Sequence, residues 1–438
     1  MAFLLPDDPG KRKNVLTLYT VVLGALNVIL KKIMMVPMYN YPSFVAFGQS
    51  LRNAVIFNLL VVILSASGAT FGDSKKPIVQ WSDFTSAPIK PYIILGLGEA
   101  MVATTTYYAY TYLPGRLVIL VSQGSIPLAA FGYNRDHLHG RQKIGSVMVI
   151  IGLILIFISI YAQMTNADKA CLPLDETVGI TCETCDDIDD EDTCIAKTGD
   201  DGALICEYDV DDSLYHRMFR WAAVLAATAI PMTLSSFYKL RYMPDENAKK
   251  SPLFNIAMTS IFAIPFTLLL TLGYNDISTP GIALSDWNEN SMDGFKCLRG
   301  TDAIDTTCVV DECGDSLLYV NVFTLANMLY QFFLFFLATQ EDAEDIFLLS
   351  LTFIVPVCSL SFFIPGFPES ETAEDVSNVV SILLIMIGLA FYRKGALAKS
   401  KELAEEDEDV IGEDIDGPSE KRDAMAYHKE SVKSFMVA

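Results

Sequence analysis

The sequence predicts an all-α polytopic membrane protein, with ten transmembrane helices in two inverted five-helix repeats. Three observations carry that expectation. The chain has 438 residues and is 52% hydrophobic, with a mean hydropathy of +0.35, which is too apolar for one soluble domain of this length. Apolar runs near twenty residues, long enough to cross a bilayer as helices, recur from one end to the other. Eight of the nine cysteines fall in two polar loops between such runs.

The runs lie at 14–36, 44–66, 91–113, 116–133, 142–162, 218–238, 252–273, 317–339, 346–366 and 375–392. They divide the chain into an N-terminal segment 1–13, a first repeat 14–162, an acidic loop 163–215, a second repeat 216–394 and a tail 395–438. The second repeat contains a further polar loop, 274–315. Too little chain remains outside the spans for a separate soluble enzyme domain, so no enzyme activity and no cofactor are expected.

Charge and cysteine placement set the sidedness. Lys11, Arg12 and Lys13 precede span 1, and basic residues on the cytosolic side orient a multi-span protein. Counting from there, the loops holding Lys75, Lys76, Lys90, Arg135, Arg141, Lys143, Lys239, Arg241, Lys249 and Lys250 are cytosolic, and so are both termini. The cysteine loops then face the lumen. One carries Cys171, Cys182, Cys185, Cys194 and Cys206, the other Cys297, Cys308 and Cys313. Disulfides persist on a non-cytosolic face, so two separate criteria agree. The loops hold five and three cysteines; if all are oxidised, at least one disulfide joins them. Cys182-x-x-Cys185 lacks the βαβ context of a redox motif and the further reduced ligands of a zinc site, so no metal is expected.

The net charge is −22, and residues 163–215 alone carry sixteen Asp or Glu against two Lys. The tail run Glu405–Asp409 is also acidic. Such tracts form no core and are expected to be disordered where disulfides do not hold them. Nothing basic is concentrated on a soluble part, which disfavours nucleic acid as a partner.

The halves echo each other. Pro127 in span 4 answers Pro356 in span 9, and Gly145 and Gly152 in span 5 share their spacing with Ser381 and Gly388 in span 10. Five spans per repeat, an odd number, forces opposite orientations, an arrangement of secondary transporters with midplane sites. Chance recurrence of Pro and Gly, both common in membrane helices, is the competing explanation.

Glu99 in span 3 is the sharpest chemical signal. A membrane carboxylate must pair or protonate, and desolvation moves its titration toward the range between an acidic lumen and the cytosol. That suits proton coupling; a structural ion pair with Arg52 or Lys32 is the alternative. Asn27, Arg52, Ser122, Gln123, Ser125, Ser235, Ser236, Asn327 and Gln331 could line a cavity around it, or could make ordinary helix–helix hydrogen bonds. Pro127, Pro231 and Pro356 are expected to kink their helices and free backbone carbonyls. The tyrosines at the end of span 3 read as an interfacial belt and Arg116 as an interfacial anchor; a cation-binding aromatic wall is the lesser alternative for the tyrosines.

Three stretches resemble the chloroquine-resistance-transporter-like family of the drug/metabolite transporter superfamily. They are Pro114-Gly115 through Gln123-x-Ser125-Ile126-Pro127, Ala229 to Ser236 with Pro231, and Gly294-Phe295-Lys296-Cys297 followed by Cys308 and Cys313. The likeness covers about residues 14–394. It implies the drug/metabolite transporter fold, a central cavity opening to an acidic vacuole or lysosome, and an intramembrane acid at Glu99. The chain departs from the family pattern in three places. The second loop has three cysteines rather than four, Asn327 stands where an acid is expected in span 8, and a Gln expected near Pro356 is missing.

The expectation is therefore a vacuolar or lysosomal secondary transporter moving small cationic, peptide or amino-acid-like solutes to the cytosol with protons. Its partners would be that solute and protons; the oligomeric state is open. A nucleotide-sugar, organophosphate or glutathione-type carrier on the same fold is the rival, using Lys31, Lys32 or Arg52 as phosphate clamps. A non-transporting membrane scaffold is a rival of another class.

Overall fold

The computed structural model describes residues 9–68, 89–133, 138–166, 171–173, 206–208, 214–242, 252–275, 287–302, 313–338, 343–361 and 376–412. Among them α1 (Pro9–Met35), α2 (Pro42–Ser67) and α3 (Ile89–Tyr112) follow spans 1 to 3. Pro42 stands in the first turn of α2, where its missing N–H is no loss. Gly68 closes the same helix at φ 62°, a left-handed conformation that glycine adopts without strain.

Span 4 is two pieces, α4 (Gly115–Ser122) and α5 (Ser125–Tyr133), parted at Gln123 and Gly124. Span 6 is likewise parted at Thr228 into α7 (Leu214–Ala227) and α8 (Ala229–Tyr242). Each break lies just ahead of a proline, Pro127 or Pro231, whose ring displaces the preceding turn and removes one hydrogen bond. Pro265 inside α9 (Pro252–Asn275) and Pro356 inside α12 (Ala343–Ser361) leave their helices undivided. Span 5 is α6 (Gly140–Asn166), span 8 is α11 (Ser316–Ala338), and span 10 is α13 (Val376–Gly412). The last helix runs past the predicted boundary and takes in the acidic run Glu405–Asp409.

Among the described residues, seven helical stretches are long and apolar enough to cross a membrane: Lys11–Met35, Pro42–Ser67, Gly140–Ala162, Met218–Ser235, Leu253–Tyr274, Cys313–Leu334 and Val379–Lys399. The molecule is a multi-pass membrane protein. Three predicted spans fall outside this set. α3 is long enough, at 24 residues, but carries Lys90, Glu99 and the Thr104–Tyr108 run. The apolar pieces Gly115–Leu128 and Leu349–Ser361 are shorter.

Packing joins the two halves. α1 lies against α11 and α12, α8 against α3 and α5, α2 against α9, and α6 against α13. The α6–α13 crossing is built on small residues, which let two backbones approach. A Cβ on Gly145 would stand 2.5 Å from the Gly388 carbonyl, and one on Gly152 would stand 3.2 Å from the Ser381 carbonyl. The four positions that echo each other in sequence therefore meet across one crossing.

One end of the bundle carries an element that no sequence signal predicted, α10 (Trp287–Leu298), inside the loop 274–315. It covers the turn between α1 and α2. Asn290 donates to the Asn40 carbonyl at 3.3 Å, and Gly294 lets Phe44 approach to 2.9 Å of where a Cβ would be. Cys297 is disulfide-bonded to Cys313, with both residues fully buried. The Ser316 hydroxyl donates to the Cys297 sulfur at 3.6 Å. Cys308, Cys182, Cys185 and Cys194 lie outside the described residues. Cys171 and Cys206 lie on a short antiparallel ribbon, Cys171–Pro173 with Cys206–Tyr208, that pairs Pro173 with Cys206. Cys358 is a free, buried thiol in α12.

Candidate functional site

Glu99 lies on α3 beside two close helix approaches, to α9 and to α8. On α3, a Cβ at Gly96 would press within 2.8 Å of the Phe262 backbone on α9. A Cβ at Gly98 would stand 3.0 Å from Cβ of Ser235 on α8. The two glycines seat the neighbouring helices and leave Glu99 exposed beside them. Val102, Ala103 and Thr106 follow it at helical spacings of three, four and seven, so they share its face. The lipid-like face of the same helix holds Ile93 and Leu97, also exposed but apolar. α3 thus presents one apolar and one mixed face, which explains its failure to read as a simple span.

Toward the disulfide end, α1, α2 and α3 bring cations together around tyrosines. The Lys31 ammonium stands 4.2 Å over the Tyr107 ring and 5.3 Å from the centre of Tyr110. Arg52 lies within electrostatic reach of Tyr107. Its Nε is buried without a hydrogen-bond partner, as are Oδ1 of Asn27 and Oγ1 of Thr104. Arg52 makes no ion pair among the described residues, so it is not the structural partner of Glu99. Lys32 has a different duty. It is buried, and its ammonium donates to the carbonyls of Tyr110 at 2.7 Å and Leu113 at 2.9 Å. Those carbonyls end α3, where a cation meets the negative pole of the helix.

Neither interfacial expectation holds. Tyr107, Tyr108 and Tyr110 are no membrane-surface belt: all are buried. Trp221 of α7 stacks between Tyr108 and Tyr112, at 5.2 and 5.3 Å, and meets Tyr274 edge-on. Aromatic faces in these stacked and edge-on arrangements add to plain burial. Arg116 is buried too, at 7% exposure, and is no surface anchor.

Asn327 on α11 donates to Oδ1 of Asn53 on α2 at 3.5 Å. Thr324, one turn earlier, donates to Oε1 of Gln49 at 3.4 Å, while Gln49 donates to Asn53 at 3.0 Å. Gln49 and Asn53 belong to this polar seam, but sequence reasoning passed over them. Their spacing of four, on a face that also holds Ala46, is the signal that could have found them. Gln331 follows Asn327 by one turn and is half-buried.

In the broken span, the three polar side chains serve the break itself. Ser122 donates to the Ile119 carbonyl at 2.7 Å, Gln123 to the same carbonyl at 3.0 Å, and Ser125 to the Ser122 carbonyl at 3.2 Å. Ser122 is also exposed, whereas Gln123 and Ser125 are buried. Ser235 is half-buried against Gly98. The side chain of Ser236 lies outside the described residues. Pro127 and Pro231 stand just past the two breaks, and Pro356 lies in the uninterrupted α12.

Residues 14–172 and 204–392 match the model of the CRT-like, or chloroquine-resistance transporter-like, family. A stretch of 155 residues is 26% identical to a chloroquine resistance transporter of Toxoplasma gondii, covering 33% of this chain and 16% of that protein. The chain thus spans a small part of that relative's length. With the family match running from α1 to α13 across the site just described, the chain belongs to the chloroquine-resistance transporter-like family.

Proposed function

We propose that the protein is a proton-coupled secondary transporter that carries small cationic, peptide or amino-acid-like solutes from an acidic organelle to the cytosol. The observation that carries this reading is the placing of Glu99, an acid midway along α3, beside the two glycines that seat α8 and α9 against that helix. A carboxyl there can gain or lose a proton as access alternates, and proton binding biases two states only if their affinities for it differ.

Ten spans in two inverted repeats are the proposed architecture, with both termini cytosolic. Exchanging each span n with span n + 5 maps the packing of α1 on α11 and α12 onto that of α8 on α3 and α5. It maps the α6–α13 crossing onto itself, swapping the Gly145–Gly388 contact with the Gly152–Ser381 contact. A self-complementary contact of this kind is what a two-fold axis requires. Of the three candidate clamps of the phosphate-binding rival, Lys32 is engaged with the end of α3, which leaves Lys31 and Arg52.

The test is flux in liposomes holding the purified full-length chain. Efflux of a radiolabelled tripeptide should be faster with an acidic interior than without a gradient, and a protonophore should remove the difference. Leakage equal to that of empty liposomes would defeat the proposal.

A further inference from the structure

We propose that Arg52 and Lys31, with Asn27 and Tyr107, form a carboxylate-binding site at the disulfide end of the bundle, which holds the anionic end of the transported solute. The inference rests on the transporter reading and adds the chemical class of one end of the solute.

Lys31 on α1 and Arg52 on α2 lie on two helices that both pack against α3, where Lys31 stands 4.2 Å over the Tyr107 ring and Arg52 is within electrostatic reach of the same residue. Among the described residues neither makes a hydrogen bond or an ion pair with protein. A cation within a membrane protein is costly unless paired or hydrated. The Nε of Arg52 has lost water without gaining an acceptor, which leaves an unmet demand for an anion. Lys32, one residue from Lys31, shows the contrast: its ammonium has two carbonyls.

The surroundings select a carboxylate. A guanidinium presents two parallel N–H donors that match the two oxygens of a carboxylate, and its single positive charge balances the single negative charge of that group, so Lys31 serves as a further N–H donor. Asn27 is one turn before Lys31 on the same face of α1, and its side-chain oxygen is buried without a donor. Its amide can turn to add an N–H to the anion. The Tyr107 and Tyr110 rings hold the Lys31 ammonium by cation–π attraction, keeping it in place while the site is empty. Nothing here resembles the glycine-rich cradle of backbone N–H groups that wraps a phosphate. Arg52 and Lys31 are half-buried rather than sealed, so a solute can reach them.

Glu99 and Tyr107 are eight residues apart on α3, about 12 Å along the axis at 1.5 Å per residue. The carboxylate site and the proposed proton site are thus separate levels of one helix, and one can be altered without the other.

The experiment uses the full-length protein in detergent and in liposomes, with a tripeptide, its C-terminal amide and glycerol 3-phosphate as probes. In detergent, the free-acid tripeptide should raise the melting temperature by several degrees, as ligands that bind the native state do. The amide should need at least about tenfold higher concentration for the same shift. In Arg52→Gln the acid and amide should become equivalent, and Arg52→Lys should restore part of the preference. Equal stabilisation by acid and amide in the unaltered protein, or by neither, would overturn the inference, as would a preference that survives Arg52→Gln. Stronger stabilisation by glycerol 3-phosphate than by the acid would mark a phosphate site and overturn it too. Because melting needs no transport, acid-selective binding without flux in liposomes would leave this site standing and defeat the transporter reading instead.

Discussion

The seam between α3 and α9 is held by shape, whereas that between α2 and α11 is held by long polar contacts. On the first, Gly96 brings the α3 backbone against Phe262 and Ala263 with no room for a methyl group. On the second, the links include Thr324 to Gln49 at 3.4 Å and Asn327 to Asn53 at 3.5 Å. Under the proposed exchange of repeats these two seams are counterparts, so the molecule holds one tight and one loose version of the same contact. Helices in a membrane gain little from the hydrophobic effect and associate through close packing and hydrogen bonds. A polar link there is worth on average about 0.6 kcal/mol, so the α2–α11 seam can part cheaply while α3–α9 stays closed.

The largest expected effect comes from breaking the tight seam. Gly96→Leu forces a side chain into the Phe262 backbone and should cost about 3 kcal/mol or more. Size-exclusion chromatography and thermal unfolding in detergent should show loss of monodisperse protein; wild-type behaviour would mean that the seam is not tight. Next comes the clamp above the loose seam. Replacing Cys297 and Cys313 by Ser removes a bridge over a separation of 16 residues and should lower stability by about 3 kcal/mol. With those two paired, Cys308 is the odd cysteine of its loop. Non-reducing peptide mapping should find it joined to a peptide from residues 163–215, and a free Cys308 thiol would contradict that link.

The two neighbouring lysines give a smaller, sharper contrast. Lys32→Met leaves the Tyr110 and Leu113 carbonyls without their ammonium and should cost about 2 kcal/mol. Lys31→Met removes a charge that lacks a hydrogen-bonded partner and should leave stability level or raised. Equal losses in the two variants would erase the distinction. Least of all, Asn53→Ala should change the melting temperature by about 1–2 °C, since only weak links are lost. A shift as large as that of Gly96→Leu would show the polar seam to be the rigid one.

Much of the bundle was legible because its signals are long. Among the described residues seven runs are apolar enough to stand alone, and the small residues at 145, 152, 381 and 388 are marked out by their matched spacing in the chain. What escaped was short or ambiguous. α10 has twelve residues in a polar loop, and its role depends on Gly294 and Cys297 meeting the α1–α2 turn, a contact far away in sequence. A tyrosine-rich helix end looks alike at a membrane surface and in a core; only Trp221, more than a hundred residues on, decides it for Tyr108 and Tyr112. The polar site was half legible. Glu99 and Arg52 stand out because charge is rare in spans, whereas Gln49 and Asn53 are ordinary amides until Thr324 and Asn327 lie opposite them.

The most direct test of proton coupling is Glu99→Gln in liposomes. The amide keeps the shape of a protonated carboxyl and costs less in the membrane than an ion, so the protein should fold with an unchanged melting temperature. Tripeptide movement driven by a pH gradient should collapse, while exchange of labelled for unlabelled tripeptide without a gradient should continue, because exchange requires no proton release. A stable Glu99→Gln protein with undiminished gradient-driven movement would contradict the assignment of Glu99 as the coupling group.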